Sequence, residues 1–277
     1  MEHVTAGGAR IPKLGLGTWQ NTGDQCVETV RTALELGYRH VDTAQAYDNE
    51  TEVGEGITAA DVPREDVFLT TKVWRSNLRA GDVRTSVRES RDRLGVEYID
   101  LLLVHWPHPR VPVAETLGAM ADLRAEGVVR HLGMSNFTRG QLREAMEAVD
   151  APIVADQVQY HPYVDQSDLR EFCVENDLAL TAYSPLARGD VLEDPELAAI
   201  GDRYEKSAPQ VALRWLLQQE GVVAIPKATS RSHLEANLDV FDFSLTDAEM
   251  ATIHGLRGSL GRRVRNFAPA IMRRLPL

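Results

Sequence analysis

Four ionisable side chains stand at the far ends of apolar runs, where such groups are unfavourable unless they meet one another. They are Asp42 in "HVDTA", Tyr47 just beyond it, Lys72 in "VFLTTKV" and His105 in "YIDLLLVHW". Together they form a proton-donor set. An isolated tyrosine titrates near pH ~10 and is a poor acid at neutral pH. A lysine ammonium within about 4–6 Å stabilises the tyrosinate and lowers that pKa. An aspartate keeps the lysine charged and in place, and a histidine can bind or polarise the oxygen that receives the proton. The set suits reduction of a carbonyl, where an alkoxide develops. It suits a hydrolase less well, because GxSxG is absent and no Ser–His–Asp set is implied. A Schiff base on Lys72, as in an aldolase or isomerase, is opposed by Asp42, which would hold the amine protonated. Singly, Asp42 could cap a turn and His105 could fill a core. Jointly, at one rim, they point to a site.

That rim requires parallel strands. Eight apolar runs are read as strands: 13–18, 40–44, 67–73, 98–106, 131–136, 153–160, 178–184 and 222–227. Each is nearly continuous in hydrophobicity, as expected of strands covered on both faces. Amphipathic helices separate them. In 82–95, Val83, Val87 and Leu94 share one face with Arg and Glu opposite. Thr138 with Gln141 and Thr246 with Glu249 have capping-box spacing, and Pro209 opens another helix. Gly37, Gly95, Gly127 and Gly221 stop helices before the next strand. The alternation, with no Pro/Ser-rich linker, predicts an α/β chain forming one (β/α)8 TIM barrel domain over residues 1–277. A doubly wound dinucleotide-binding sheet is the competitor. Its glycine fingerprint is missing: "GLGTWQ" puts Gln20 where the third glycine belongs.

Composition narrows the class. The formal net charge of −11 disfavours nucleic-acid binding. No stretch approaches 18 uncharged apolar residues and no leader-like apolar region opens the chain, so a cytoplasmic protein that neither spans a membrane nor is secreted is expected. Cys26 and Cys173 lack metal-ligand spacing and are expected to be buried reduced thiols; no metal is expected. Only four lysines occur: Lys13, Lys72, Lys206 and Lys227. Charge is uneven, because residues 250–277 carry six arginines and no acid, leaving −17 for the rest.

"GLGTW", "HVDTAQAYDNE", "TTKVW", "DLLLVHWP", "GMSNF", "DQVQYHP", "AYSPL" and "IPKATSRSHLEAN", in that order, resemble an aldo-keto reductase from about residue 5 to 245. The resemblance implies a barrel that binds NADP(H) in extended form without a Rossmann domain. It implies Tyr47 as general acid, Asp42 and Lys72 as its tuning pair, and His105 as the residue orienting a small-molecule carbonyl. It further implies Tyr183 stacked on the nicotinamide, with Ser135, Asn136 and Gln157 on the carboxamide and Thr18 and Asp42 nearby. Ser184, Pro185 and Leu186 would follow the pyrophosphate, and Trp19, Trp74 and Trp106 would wall the substrate pocket. No obligate protein partner is implied.

The chain departs from the family near the adenosine 2′-phosphate. Ala228 and His233 stand where the family often has Ser and Arg, and Ala236 where it commonly has Glu. Neutral His lacks the permanent charge and bidentate fork of Arg. Lys227, Thr229 and Arg231 remain for a phosphate, with Asn237 for the adenine, so NAD(H) becomes an alternative cofactor. The segment 257–277 is implied to fold over the pocket mouth. There its arginines would either dock on the acidic body or solvate the tail, or, through Arg262 or Arg263, favour anionic carbonyl substrates. A cofactor-binding regulatory subunit with little turnover is the rival reading, opposed by the intact Asp–Tyr–Lys–His set.

Overall fold

The computed structural model describes residues 2–256. The C-terminal segment 257–277, and with it the expectation for the pocket mouth and its arginines, lies outside the described residues.

Eight parallel strands run in chain order around a barrel: β3 (Leu16–Gly17), β4 (His40–Asp42), β5 (Phe68–Val73), β6 (Ile99–Val104), β7 (Val129–Ser135), β8 (Ile153–Gln159), β9 (Ala179–Tyr183) and β10 (Val222–Ile225). All neighbours pair in parallel. The first strand is far shorter than the 13–18 expected. Its pairing with the last strand is completed by the Leu14–Ala224 bridge and by the Gly15 and Gly17 amides, which donate to the Ala224 and Pro226 carbonyls. Gly17 allows that approach, since a Cβ there would lie 2.7 Å from the Ile225 carbonyl oxygen.

The helices cover the barrel: α1 (Gly23–Glu35), α2 (Glu50–Ala59), α3 (Ala80–Leu94), α4 (Val113–Ala125), α5 (Arg139–Glu147) and α6 (Ser167–Glu175), then α7 (Pro195–Gly201), α8 (Ala208–Gln218), α9 (Arg231–Leu238) and α10 (Asp247–His254). Val83, Val87 and Leu94 of α3 are buried as their spacing predicts. Both expected capping boxes form, and Ser207 with Gln210 adds a third in front of Pro209. None of the helices among the described residues is long and apolar enough to cross a membrane.

One element was not expected from sequence. β1 (His3–Ala6) and β2 (Ala9–Pro12) form an antiparallel hairpin around Gly7 and Gly8, both at positive φ. That geometry is the two-residue turn that glycine pairs favour. Val4, Ala6, Ala9 and Ile11 pack on Phe68, Leu101, Val154, Ala179 and Val223, near the N-terminal ends of the barrel strands. The hairpin therefore plugs the bottom of the barrel. Chemistry is left to the opposite end, where strands deliver their last residues.

Candidate active site

Lys72, in β5, is fully buried, and its ammonium has three partners inside the barrel. It donates to Asp42 Oδ1 at 2.5 Å, to the Thr43 carbonyl at 2.7 Å and to the Tyr47 hydroxyl at 3.3 Å. Asp42 ends β4, and Tyr47 sits in the single 3₁₀ turn (Gln45–Tyr47) that follows. Asp42 Oδ2 accepts a further bond from Gln157 Nε2 at 2.7 Å, so both carboxylate oxygens are engaged. Burial alone would lower the Lys72 pKa, but attraction to Asp42 and Tyr47 reverses this and the net direction is up. The lysine is therefore a fixed cation. With its ammonium saturated and out of contact with solvent, it is not arranged as a Schiff-base nucleophile.

The tyrosine departs from expectation. Burial pushes the Tyr47 pKa up, Lys72 pulls it down and Asp42 pushes it up again, and the net direction is up. Desolvating the phenolate outweighs one lysine whose charge is already shared with a carboxylate. Tyr47 thus stays protonated throughout the neutral range. It can give its proton only to a strong base such as a developing alkoxide, and Lys72 then meets the tyrosinate left behind.

His105 follows β6 directly and makes edge contacts with the rings of Tyr47 (5.7 Å between centroids) and Trp74 (5.1 Å). Burial first, and the Lys72 charge second, hold its pKa well below the usual histidine value. The imidazole is neutral at neutral pH and can donate one N–H to a carbonyl oxygen without adding a charge. Its Nδ1 is buried without a partner.

These groups open into a cleft at the C-terminal end of the barrel. Thr18, Trp19, Asp42, Tyr47, Trp74, His105 and Trp106 line it on one side, with Ser135, Asn136, Gln157, Tyr183, Ser184 and Lys227 on the other. Lys72 stands behind them. Ser135 Oγ donates to the Gln157 carbonyl, and Asn136 Nδ2 to His105 O and Ser135 Oγ. The Tyr183 hydroxyl donates to Asn136 Oδ1 at 2.9 Å, which fixes its ring beside the cleft. Asn136 and Ser184 hold positive φ at these turning points.

Other expected cofactor residues do not line the cleft. Pro185 is buried and Leu186 is half-buried against the core. Ala228 is buried in the core, while Thr229 and His233 are exposed. Asn237 is buried, with its side chain at the Tyr38 hydroxyl. Lys227, which does line the cleft, donates to the Gln20 carbonyl at 3.1 Å, whereas Arg231 pairs with Glu235 at 2.9 Å on the surface of α9. Sequence reading missed Arg188, which lines the cleft with its guanidinium 5.3 Å from the Trp19 ring. Its placement depends on a run of positive φ at Ala187, Arg188 and Gly189, which only the glycine hints at.

The donor set fits a nicotinamide dinucleotide. Side-chain amides of Asn136 and Gln157 suit a carboxamide, the tethered Tyr183 ring suits a planar heterocycle, and Lys227 and Arg188 supply positive charge for phosphates.

The profile of the Aldo/keto reductase family matches residues 13–257. The chain is 41% identical over 266 residues to the 9,11-endoperoxide prostaglandin H2 reductase of Trypanosoma cruzi, covering 94% of this chain and 93% of that protein. It is 39% identical over 250 residues to an aldo-keto reductase of Mycolicibacterium smegmatis, covering 90% of each. Among solved structures, it is similar to a protein provisionally assigned as 2,5-diketo-D-gluconic acid reductase B, with a TM-score of 0.93, 46% identity and coverage of 97% of this chain and 95% of that one. The chain belongs to the aldo/keto reductase family and is an oxidoreductase that reduces carbonyl compounds with NAD(P)H.

Proposed function

We propose that Tyr47 is the proton donor in an aldehyde and ketone reductase of the alcohol-dehydrogenase type. The observation that carries this reading is the buried Asp42–Lys72–Tyr47 chain of contacts at 2.5 and 3.3 Å, opening on a cleft walled by Trp19, Trp74 and Trp106. Bound NAD(P)H would supply a hydride to the carbonyl carbon. At the oxygen, the neutral His105 donates a hydrogen bond and holds the carbonyl toward Tyr47. The Tyr47 O–H bond breaks as the alkoxide takes the proton, leaving a tyrosinate beside the Lys72 ammonium. Asp42 keeps that ammonium charged and in place. Ser135, Asn136, Gln157 and Tyr183 would position the nicotinamide end, with Thr18 and Ser184 beside it and Pro185 and Leu186 shaping the turn behind. The two buried free thiols, Cys26 and Cys173, support a reducing, cytoplasmic setting. A panel of aldehydes and ketones run with NADPH and with NADH tests the reading; no turnover of any carbonyl with either cofactor would refute it.

His105 makes this reading pH-specific. Its depressed pKa keeps the imidazole neutral well below the usual histidine value, so kcat/KM for reduction is expected to stay level from pH 8 down to pH 6. An acid limb centred near ~6.5 that disappears in His105→Gln would show an ordinary histidine and remove it from this role.

The phosphate end supports use of NADH as well as NADPH. Lys227, Thr229, Arg231 and His233 are exposed there, Arg231 is paired with Glu235, and Ala228 could offer only its backbone. His233→Arg, on the first turn of α9, is expected to raise the preference for NADPH over NADH about tenfold. This is the lower end for a charge-assisted bond, about 1.5 kcal/mol, because the position is exposed. An unchanged ratio of kcat/KM for the two cofactors would show that position 233 does not face the 2′-phosphate.

A further inference from the structure

Two amide side chains flank Tyr47 at equal spacing, and each reaches a different wall of the cleft. Gln45 lies two residues before it. Its Oε1 accepts from the Trp74 backbone N–H at 2.9 Å and from Asn77 Nδ2 at 3.1 Å, while its Nε2 donates to Ser90 Oγ on α3. Asn49 lies two residues after it and is fully buried. Its Nδ2 donates to the carbonyls of Thr18 at 2.9 Å and Asn21 at 2.8 Å, and its Oδ1 accepts from Thr43 Oγ1 at 2.7 Å.

Both amides act where the strand ladders stop. β5 ends at Val73, so the Trp74 N–H is the first beyond the strand, and Gln45 takes it. β3 ends at Gly17, so the Thr18 carbonyl is likewise the first beyond, and Asn49 takes it together with the Asn21 N–H, which closes the Thr18–Asn21 turn at 3.0 Å. Asn49 also occupies the N-cap of α2, where an asparagine side chain ordinarily accepts from the helix's first turn. It makes no such bond here. The side chain has been turned from the local cap to a distant loop, and the two carbonyls it holds bracket Trp19.

We propose that Gln45 and Asn49 are positioning residues that fix the Trp74 and Trp19 walls relative to the Tyr47 hydroxyl. Discrimination among carbonyl substrates by shape then depends on two residues that do not line the cleft. This rests on the reading of Tyr47 as proton donor in a carbonyl pocket. Loosening either wall lets a flat aromatic substrate lose its contacts, whereas a small aliphatic one has few to lose.

The test compares kcat/KM for benzaldehyde and propanal at saturating cofactor in wild type, Gln45→Met, Asn49→Leu and Gln45→Glu. The benzaldehyde-to-propanal ratio is the quantity read, because a smaller folded fraction lowers both rates equally and cancels. Gln45→Met and Asn49→Leu are expected to shift the ratio fivefold or more. Gln45→Glu, which keeps the acceptor for the Trp74 N–H, is expected to stay within twofold of wild type. Should Asn49→Leu yield no folded protein, Asn49→Ser is read by the same ratio. Ratios within twofold of wild type for substitutions at both positions would overturn the proposal. A wild type that reduces no carbonyl with either cofactor would remove the underlying reading, and the proposal with it.

Discussion

Tyr47→Phe is expected to lower kcat for carbonyl reduction by roughly 10²–10⁴, the range for loss of a general acid. Phe keeps the ring that makes the edge contact with His105 and removes only the hydroxyl 3.3 Å from Lys72. Lys72 retains Asp42 and the Thr43 carbonyl, so its charge remains compensated and the fold should hold. Cofactor affinity, read by quenching of protein fluorescence, should change by less than about threefold. A loss confined to kcat is the signature of an interaction made only in the transition state. Because the Tyr47 pKa is raised, the wild-type enzyme should show no loss of the protonated donor anywhere in the neutral range. Turnover of the variant within about tenfold of wild type would sink the assignment and leave His105 as the remaining candidate.

Much of this site was legible before any coordinates, for a definable reason. An ionisable residue in an apolar strand is an anomaly that demands a partner, and Asp42, Lys72 and His105 each announced themselves that way. Barrel topology then brings successive strand ends together without further information from side chains. The hairpin at His3–Pro12 escaped because four-residue strands give too little alternation, although Gly7–Gly8 between "HVTA" and "ARIP" was a turn signal. The sign of the Tyr47 shift escaped because the sequence displays the lysine but not the burial that opposes it. Gln45 and Asn49 were invisible as tethers, since their partners at Trp74 and Thr18 are 29 and 31 residues away and Asn49 sits where local rules predict a cap.

Asp156 is an anomaly of the same kind, and among the described residues no side chain hydrogen-bonds to it. It lies in β8 one residue before Gln157, so alternation sends it to the face opposite the cleft, toward Cys173 of α6. It is fully buried, and neither carboxyl oxygen has a well-formed hydrogen bond. Burial pushes its pKa up to about 8, and the nearby backbone amides of Phe137 and Gln157 offset only part of that. The sign follows from linkage. Above pH ~4 the unfolded chain ionises this carboxyl while the folded chain keeps its proton, so stability falls as pH rises until the folded pKa is reached. Each pH unit in that window weakens the fold by about 1.4 kcal/mol, or roughly 4 kcal/mol between pH 5 and pH 8 from this residue alone. Asp156→Asn, which mimics the protonated acid without ionising, is expected to remove that slope. Urea unfolding midpoints measured at pH 5 and pH 9 provide the comparison. The variant should exceed wild type modestly at pH 5, about one pH unit into the window, and by far more at pH 9, with unchanged m-values. A variant equal to or weaker than wild type at pH 9 would mean that Asp156 is ionised and paired in the folded protein.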